Sequence, residues 1–122
     1  MIISLPIPAA EIWPNSRLHW RRKSEITKSH RLAAKNVTNM MISRPHHEEA
    51  VYHGYKLAFY YKDARRRDDD NAAASCKAYR DGIADALGVD DNTLKLLEIP
   101  TFQIDRINPR VEITLISHQT NQ

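Results

Sequence analysis

The stretch YHGYKLAFYYKDARRRDDDN, Tyr52 to Asn71, passes from one kind of pattern to another across a run of opposed charges. Its first half alternates. Tyr55, Leu57, Phe59 and Tyr61 fall on one face, and Lys56, Ala58, Tyr60 and Lys62 on the other. A period of two with large apolar residues on a single side predicts a half-buried strand. Arg65, Arg66 and Arg67 then meet Asp68, Asp69 and Asp70. A helix is expected from Asp70 to Leu87, with Gly88 placed just past its end.

Outward from this centre, MIISLPIP reads as a short edge strand halted by prolines. Residues 9–23 show no strong period and read as a loop. From Ser24, a capping residue, to Ser43, the residues Ile26, Leu32, Ala33, Val37, Met40 and Met41 recur at near-helical spacing. Pro45 stops that helix, and RPHHEEA makes a polar loop. LKLLEIPTFQI and RVEITLIS read as two further strands, with DRINP joining them as a hairpin, and HQTNQ as a frayed tail. The order β, α, β, α, β, β implies one α+β domain over residues 1–122, with a small mixed sheet and two main helices.

The chain has 122 residues, 42% hydrophobic and 27% charged, within the range of soluble globular domains. No apolar run approaches the ~18 residues of a membrane span, and the N-terminus lacks the pattern of a signal peptide. The expectation is a cytoplasmic protein without a membrane partner. Cys76 is alone, which excludes an internal disulfide and a multi-cysteine zinc site. Three glycines form no phosphate-binding loop, so no organic cofactor is expected. The formal charge of +3 is modest, but SRLHWRRK (Ser16 to Lys23) and Arg65 to Arg67 concentrate it. Cations interleaved with an aromatic suit a phosphate backbone and its bases, and they suit a solvated loop anchored by Trp20 equally well.

On a continuous helix at about 100° per residue, Ala72, Cys76, Tyr79, Ile83, Ala86 and Leu87 form a core stripe. Asp70, Ala74, Lys77 and Asp81 share the opposite azimuth. That face is either solvent-exposed or the floor of a charged groove. Three adjacent aspartates exceed what one cap and a helix dipole use, and a second pair, Asp90 and Asp91, follows the same helix. A divalent cation would offset their repulsion. Oxygen-only ligands favour Mg²⁺ or Mn²⁺, and such an ion activates water and neutralises a phosphoryl group. Capping with solvation stays open beside this reading.

The string RRRDDDN, a lysine on the same helix face, then DG, DAL and a turn with DD resemble the RusA family of Holliday junction resolvases, found mainly in phages and prophages. Asp68, Asp70 and Asn71 match the family's Arg-x-Asp-x-Asp-Asn motif, with Asp69 in the variable place and Arg66 or Arg67 near the leading arginine. The opening SLPIPAAEIWPNSRLHW is similar to the family's first strand and asparagine-containing loop. The resemblance implies a homodimeric, Mg²⁺-dependent endonuclease that nicks four-way junction DNA in pairs. It implies that Asp68, Asp70 and Asp91 hold the metal and that Lys77 assists at the phosphate. Arg65, Arg66, Arg67, Asn71, Asn15, Arg17, Arg21, Arg22 and Lys23 are the expected DNA contacts. In many members the lysine stands where this chain has Ala74, so Lys77 comes about one turn late. Asp90 is an alternative to Asp91. The rival functions are a non-catalytic DNA-binding protein of the same fold and a nuclease for other branched substrates.

Other groups carry less. His46, His47, Glu48 and Glu49 read as a solvent-facing loop rather than a zinc site. Cys76 lies on the core stripe and reads as buried filler. His19 reads as a surface histidine. Asp81 reads as a structural partner of Arg80 or Lys77.

Overall fold

The computed structural model describes residues 1–14, 17, 19–45, 47, 49–65 and 68–117, with Glu11 described by its backbone alone. Among these residues five strands form one mixed sheet. They are β1 (Ile2–Leu5), β2 (Tyr52–Tyr61), β3 (Lys95–Leu96), β4 (Thr101–Ile104) and β5 (Arg110–Ser117). The helices are α1 (Trp20–Ile42), α2 (Asp69–Ser75) and α3 (Lys77–Leu87). The α+β class and the mixed sheet agree with the sequence reading.

β2 is central. β5 runs antiparallel along one side of it, pairing Leu57 with Ile113 and Phe59 with Val111. β3 and β4 run parallel along the other side, pairing Tyr55 with Leu96 and Phe59 with Phe102. β1 completes an edge by pairing antiparallel with β5. The expected hairpin between the last two strands is therefore not formed. β4 and β5 flank β2 on opposite sides, β5 having its second edge taken by β1. The expected single strand LKLLEIPTFQI is also broken, into β3 and β4. Pro100, buried between them, lacks the N–H that a continuous ladder would use.

The alternation of β2 sorts as expected. Tyr55, Leu57, Phe59 and Tyr61 are buried with Ile3, Leu5, Val111, Ile113 and Leu115 against Ala72, Cys76, Tyr79 and Ile83 of α2 and α3. Burying each such side chain stabilises the fold by about 1.5–3 kcal/mol. The opposite sheet face is polar: Arg110 bonds Glu112 at 2.9 Å and Asp105 at 2.8 Å and lies 4.0 Å over the Tyr60 ring. The N-terminal segment is fastened to the helices from both sides. The Tyr79 hydroxyl donates to the Pro6 carbonyl at 2.7 Å, and the Ala9 N–H donates to His30 Nε2 at 3.0 Å.

Two helix boundaries differ from expectation. α1 starts at Trp20 rather than Ser24, capped by His19, whose Nδ1 accepts the Arg21 N–H at 3.2 Å. Arg21, Arg22 and Lys23 thus ride on a helix, not a loop. Its buried residues are Ala34 and Thr38. Leu32 and Met40 of the expected stripe are exposed. The helix expected over 70–87 starts at Asp69 and breaks at Cys76 (φ −91°, ψ 4°). Ser75 Oγ donates back to the Ala72 carbonyl at 2.6 Å, and the Cys76 N–H reaches the Ala73 carbonyl. Such back-bonding bends a helix. α3 ends as expected at Gly88, in the left-handed region at φ 71°.

Candidate functional site

The three aspartates after the charged turn divide the work. Asp68 is extended (φ −85°, ψ 127°), and its Oδ1 accepts the N–H groups of Asp70 at 2.8 Å and Asn71 at 3.3 Å. It is the N-cap of α2, and one oxygen supplies the whole cap. Asp69 and Asp70 occupy the first turn and line an open cavity of about 290 Å³ with Ala73 and the segment Leu96 to Pro100. Glu98 adds a third carboxylate to its walls and pairs with Lys56 at 3.8 Å.

The second acidic stretch separates in the same way. Asp90 is exposed, and its Oδ1 caps the 3₁₀ turn Asp91–Thr93 by accepting the Asn92 N–H at 3.0 Å. Asp91 is less exposed and turns toward α3, where Arg80 Nη2 lies 3.6 Å from its Oδ2. The same guanidinium donates to Asp81 Oδ1 from Nε at 3.2 Å and from Nη2 at 3.0 Å. Of the two candidates, Asp91 is the one drawn inward. Asp81 is the partner of Arg80, in keeping with its expected structural use.

One stretch of chain joins these parts. Asp91 opens it beside Arg80, Leu94 buries in the core, and Leu96 to Pro100 reach the start of α2. The segment of ten residues thus begins at one acidic stretch and ends against the other. Among the described residues, no three His, Cys, Asp or Glu side chains are gathered into a ligand group. The donor chemistry nonetheless fits Mg²⁺, which is held by one or two carboxylates, waters and substrate phosphates more often than by an all-protein cage.

Lys77 is the first residue of α3 and is exposed. The break at Cys76 interrupts the helix, so seven residues no longer return Lys77 to the azimuth of Asp70. Cys76 itself is buried, and desolvation pushes its thiol up to about 12. It is packing, as its place on the core stripe suggests.

Among the basic residues, Arg17, Arg21 and Arg22 are exposed, and Arg22 pairs with Glu25 at 3.6 Å. The exposed Trp20 ring lies 5.7 Å from the His19 ring and 5.4 Å from the Arg21 guanidinium. Arg65 leans on Asp63: its N–H meets Oδ1 at 3.0 Å and its Nη2 meets Oδ2 at 3.4 Å. Asn71 is half-buried in the first turn of α2. Asn15, Arg66 and Arg67 lie outside the described residues, as do His46, Glu48 and the tail. His47 and Glu49 line a separate cavity of about 620 Å³ with Tyr52 and Leu87.

Two residues of the site escaped sequence reasoning. Arg80 reads from the sequence only as a partner of Asp81, although its spacing of three from Lys77 puts both cations on one side of α3. Glu98 gave no signal, because only the tertiary fold brings LLEIP to α2.

No protein-family model matches the chain, and no solved structure matches it. A protein of Xylella fastidiosa (strain Temecula1 / ATCC 700964), described as an uncharacterized protein, is 37% identical over 99 residues. The match covers 73% of this chain and 59% of the relative, so the chain spans less than two thirds of that protein's length. Among the described residues, no helix is long and apolar enough to cross a membrane.

Proposed function

We propose that this chain is a divalent-metal-dependent endodeoxyribonuclease of the RusA type, acting in the cytoplasm as a homodimer that nicks four-way DNA junctions in pairs. The observation that carries this reading is the cavity in which Asp69 and Asp70 face Leu96 to Pro100, with Asp91, five residues before Leu96 in the chain, set against Arg80. Asp70, Asp91 and the second oxygen of Asp68 would hold Mg²⁺ or Mn²⁺. When bound, the ion supplies a polarised phosphoryl oxygen and a more acidic water. Asp81 fixes Arg80, and Arg80 fixes the rotamer of Asp91. Lys77, on the exposed first turn of α3, would assist at the phosphate. Arg65 to Arg67 and the cations of α1 attract the backbone and make binding salt-dependent.

A second reading has its own support. Asp68 is spent on a cap and Asp91 is partnered by a guanidinium, as they would be in a protein that binds DNA without cutting it. A cleavage assay on a labelled junction, with Mg²⁺ or EDTA, separates the two. Metal-dependent paired nicks support the nuclease; tight binding without nicks under any metal supports the binding protein.

A further inference from the structure

Trp20 does not line the cavity at Asp69 and Asp70 and has no role in the fold that its position explains. It is 68% exposed at the first residue of a long helix whose buried residues, Ala34 and Thr38, lie more than three turns away. His19 stacks on it with planes 28° apart, and Arg21 holds its guanidinium 5.4 Å from the ring centre. Neither neighbour covers it. Arg17 and Arg22 are exposed nearby, and no acidic residue occupies the first turn. Among the described residues, this largely bare indole has a guanidinium beside it and no apolar side chain covering it. Its chemistry suits a polyanion that also presents flat aromatic faces.

We propose that Trp20 is a base-stacking residue, taking an unpaired or unstacked DNA base while Arg21 and Arg22 neutralise the adjoining phosphates. The inference rests on the nucleic-acid reading above and adds a means of telling branched from linear DNA. In intact duplex the faces of the bases are stacked on one another and closed to the indole. At a branch point or in a single strand they are open. Stacking on an aromatic is worth enough to change affinity about tenfold per base, and it acts without metal.

The test is binding of the full chain in EDTA to a four-way junction carrying 2-aminopurine at the branch, to matched linear duplex and to single strand. Wild type, Trp20→Ala, Trp20→Phe and Arg22→Gln are compared. Trp20→Ala should weaken junction and single-strand binding about tenfold, change duplex binding less than twofold, and leave the salt dependence unchanged. Trp20→Phe should restore most of the loss. Arg22→Gln should weaken all three DNAs alike and flatten the salt dependence. Because Trp20 is exposed, the variants should melt with wild type. Equal losses on all three DNAs from Trp20→Ala, or no loss, would overturn the stacking role while leaving the nuclease reading intact. No binding of any DNA by wild type would overturn both.

Discussion

Arg80 Nη2 stands 3.6 Å from Asp91 Oδ2, so a cation of α3 already faces the carboxylate that opens the 3₁₀ turn before β3. The same guanidinium is held by Asp81, whose side chain is only 15% exposed. The pair therefore works as a lever: Asp81 fixes Arg80, and Arg80 fixes Asp91. Arg80→Ala leaves Asp81 half-buried without its partner and should destabilise the fold by about 1–3 kcal/mol. Arg80→Ala with Asp81→Asn should recover much of that stability. In the nuclease reading neither variant recovers the rate of junction cutting, because Asp91 has lost its orientation. Denaturant melts alongside single-turnover rates at saturating protein separate the two effects.

Gly82 of the DG pair serves helix packing and not a turn. A Cβ there would overlap the Arg31 carbonyl oxygen and come 2.9 Å from its carbon and 3.0 Å from the Ala34 side chain. The obstacle is the backbone of α1, which cannot swing aside. Helix propensity alone favours alanine by about 1 kcal/mol, yet Gly82→Ala should destabilise by about 3 kcal/mol or prevent folding. Urea unfolding measures it, and a neutral or stabilising result would show that α1 can give way.

Near the same contact, Arg31 grips Asp85 with two bonds, 2.6 Å from Nε and 2.8 Å from Nη2. That hydrogen bonding holds the Asp85 carboxyl below the ordinary carboxylate range and raises the guanidinium. A depressed carboxyl contributes stability above its unfolded pKa, about 3.9, and loses it as the pH falls through the lower folded value. Both groups are partly exposed, so the contribution is about 1 kcal/mol or less. Arg31→Gln should melt below wild type at pH 7, and the gap should close by about pH 2. An unchanged gap at low pH would assign the loss to packing of the arginine stem.

How much of this the sequence showed depends on where each cause resides. The face of β2 was plain because Tyr55, Leu57, Phe59 and Tyr61 obey a local rule, and Gly88 marked its helix end for the same reason. The break at Cys76 was hidden. It follows from which carbonyl the Ser75 hydroxyl chooses, and the alanines around it suggest an unbroken helix. α1 hid its first turn because Trp20 to Lys23, one aromatic and three cations, carry no apolar period. The absent hairpin is a tertiary matter, since nothing in DRINP tells that β4 and β5 take opposite edges of β2. At the site, the division of labour between Asp90 and Asp91 was invisible, because both fit a turn and only Arg80 distinguishes them.

Cys76 offers a check on the core around that break. Burial raises its thiol to about 12, so almost no thiolate exists at pH 8. A thiol reagent such as DTNB should react with the folded protein at least a hundredfold more slowly than with the urea-unfolded chain, whose thiol has a pKa of about 8.5. Rapid reaction in buffer would mean that α2 and α3 separate readily at Cys76.

The central claim, that the aspartates at the start of α2 cut DNA, is tested most directly on a labelled four-way junction. Matched linear duplex runs alongside, with Mg²⁺ or EDTA, for wild type and Asp70→Asn. The side chain of Asp70 faces the cavity and takes no part in the cap, which belongs to Asp68. The account predicts paired nicks in the junction alone, dependent on Mg²⁺, abolished by Asp70→Asn, with junction binding kept or tightened and the melting temperature unchanged. Cutting that survives Asp70→Asn, or junction binding with no cutting under Mg²⁺ or Mn²⁺, would contradict it.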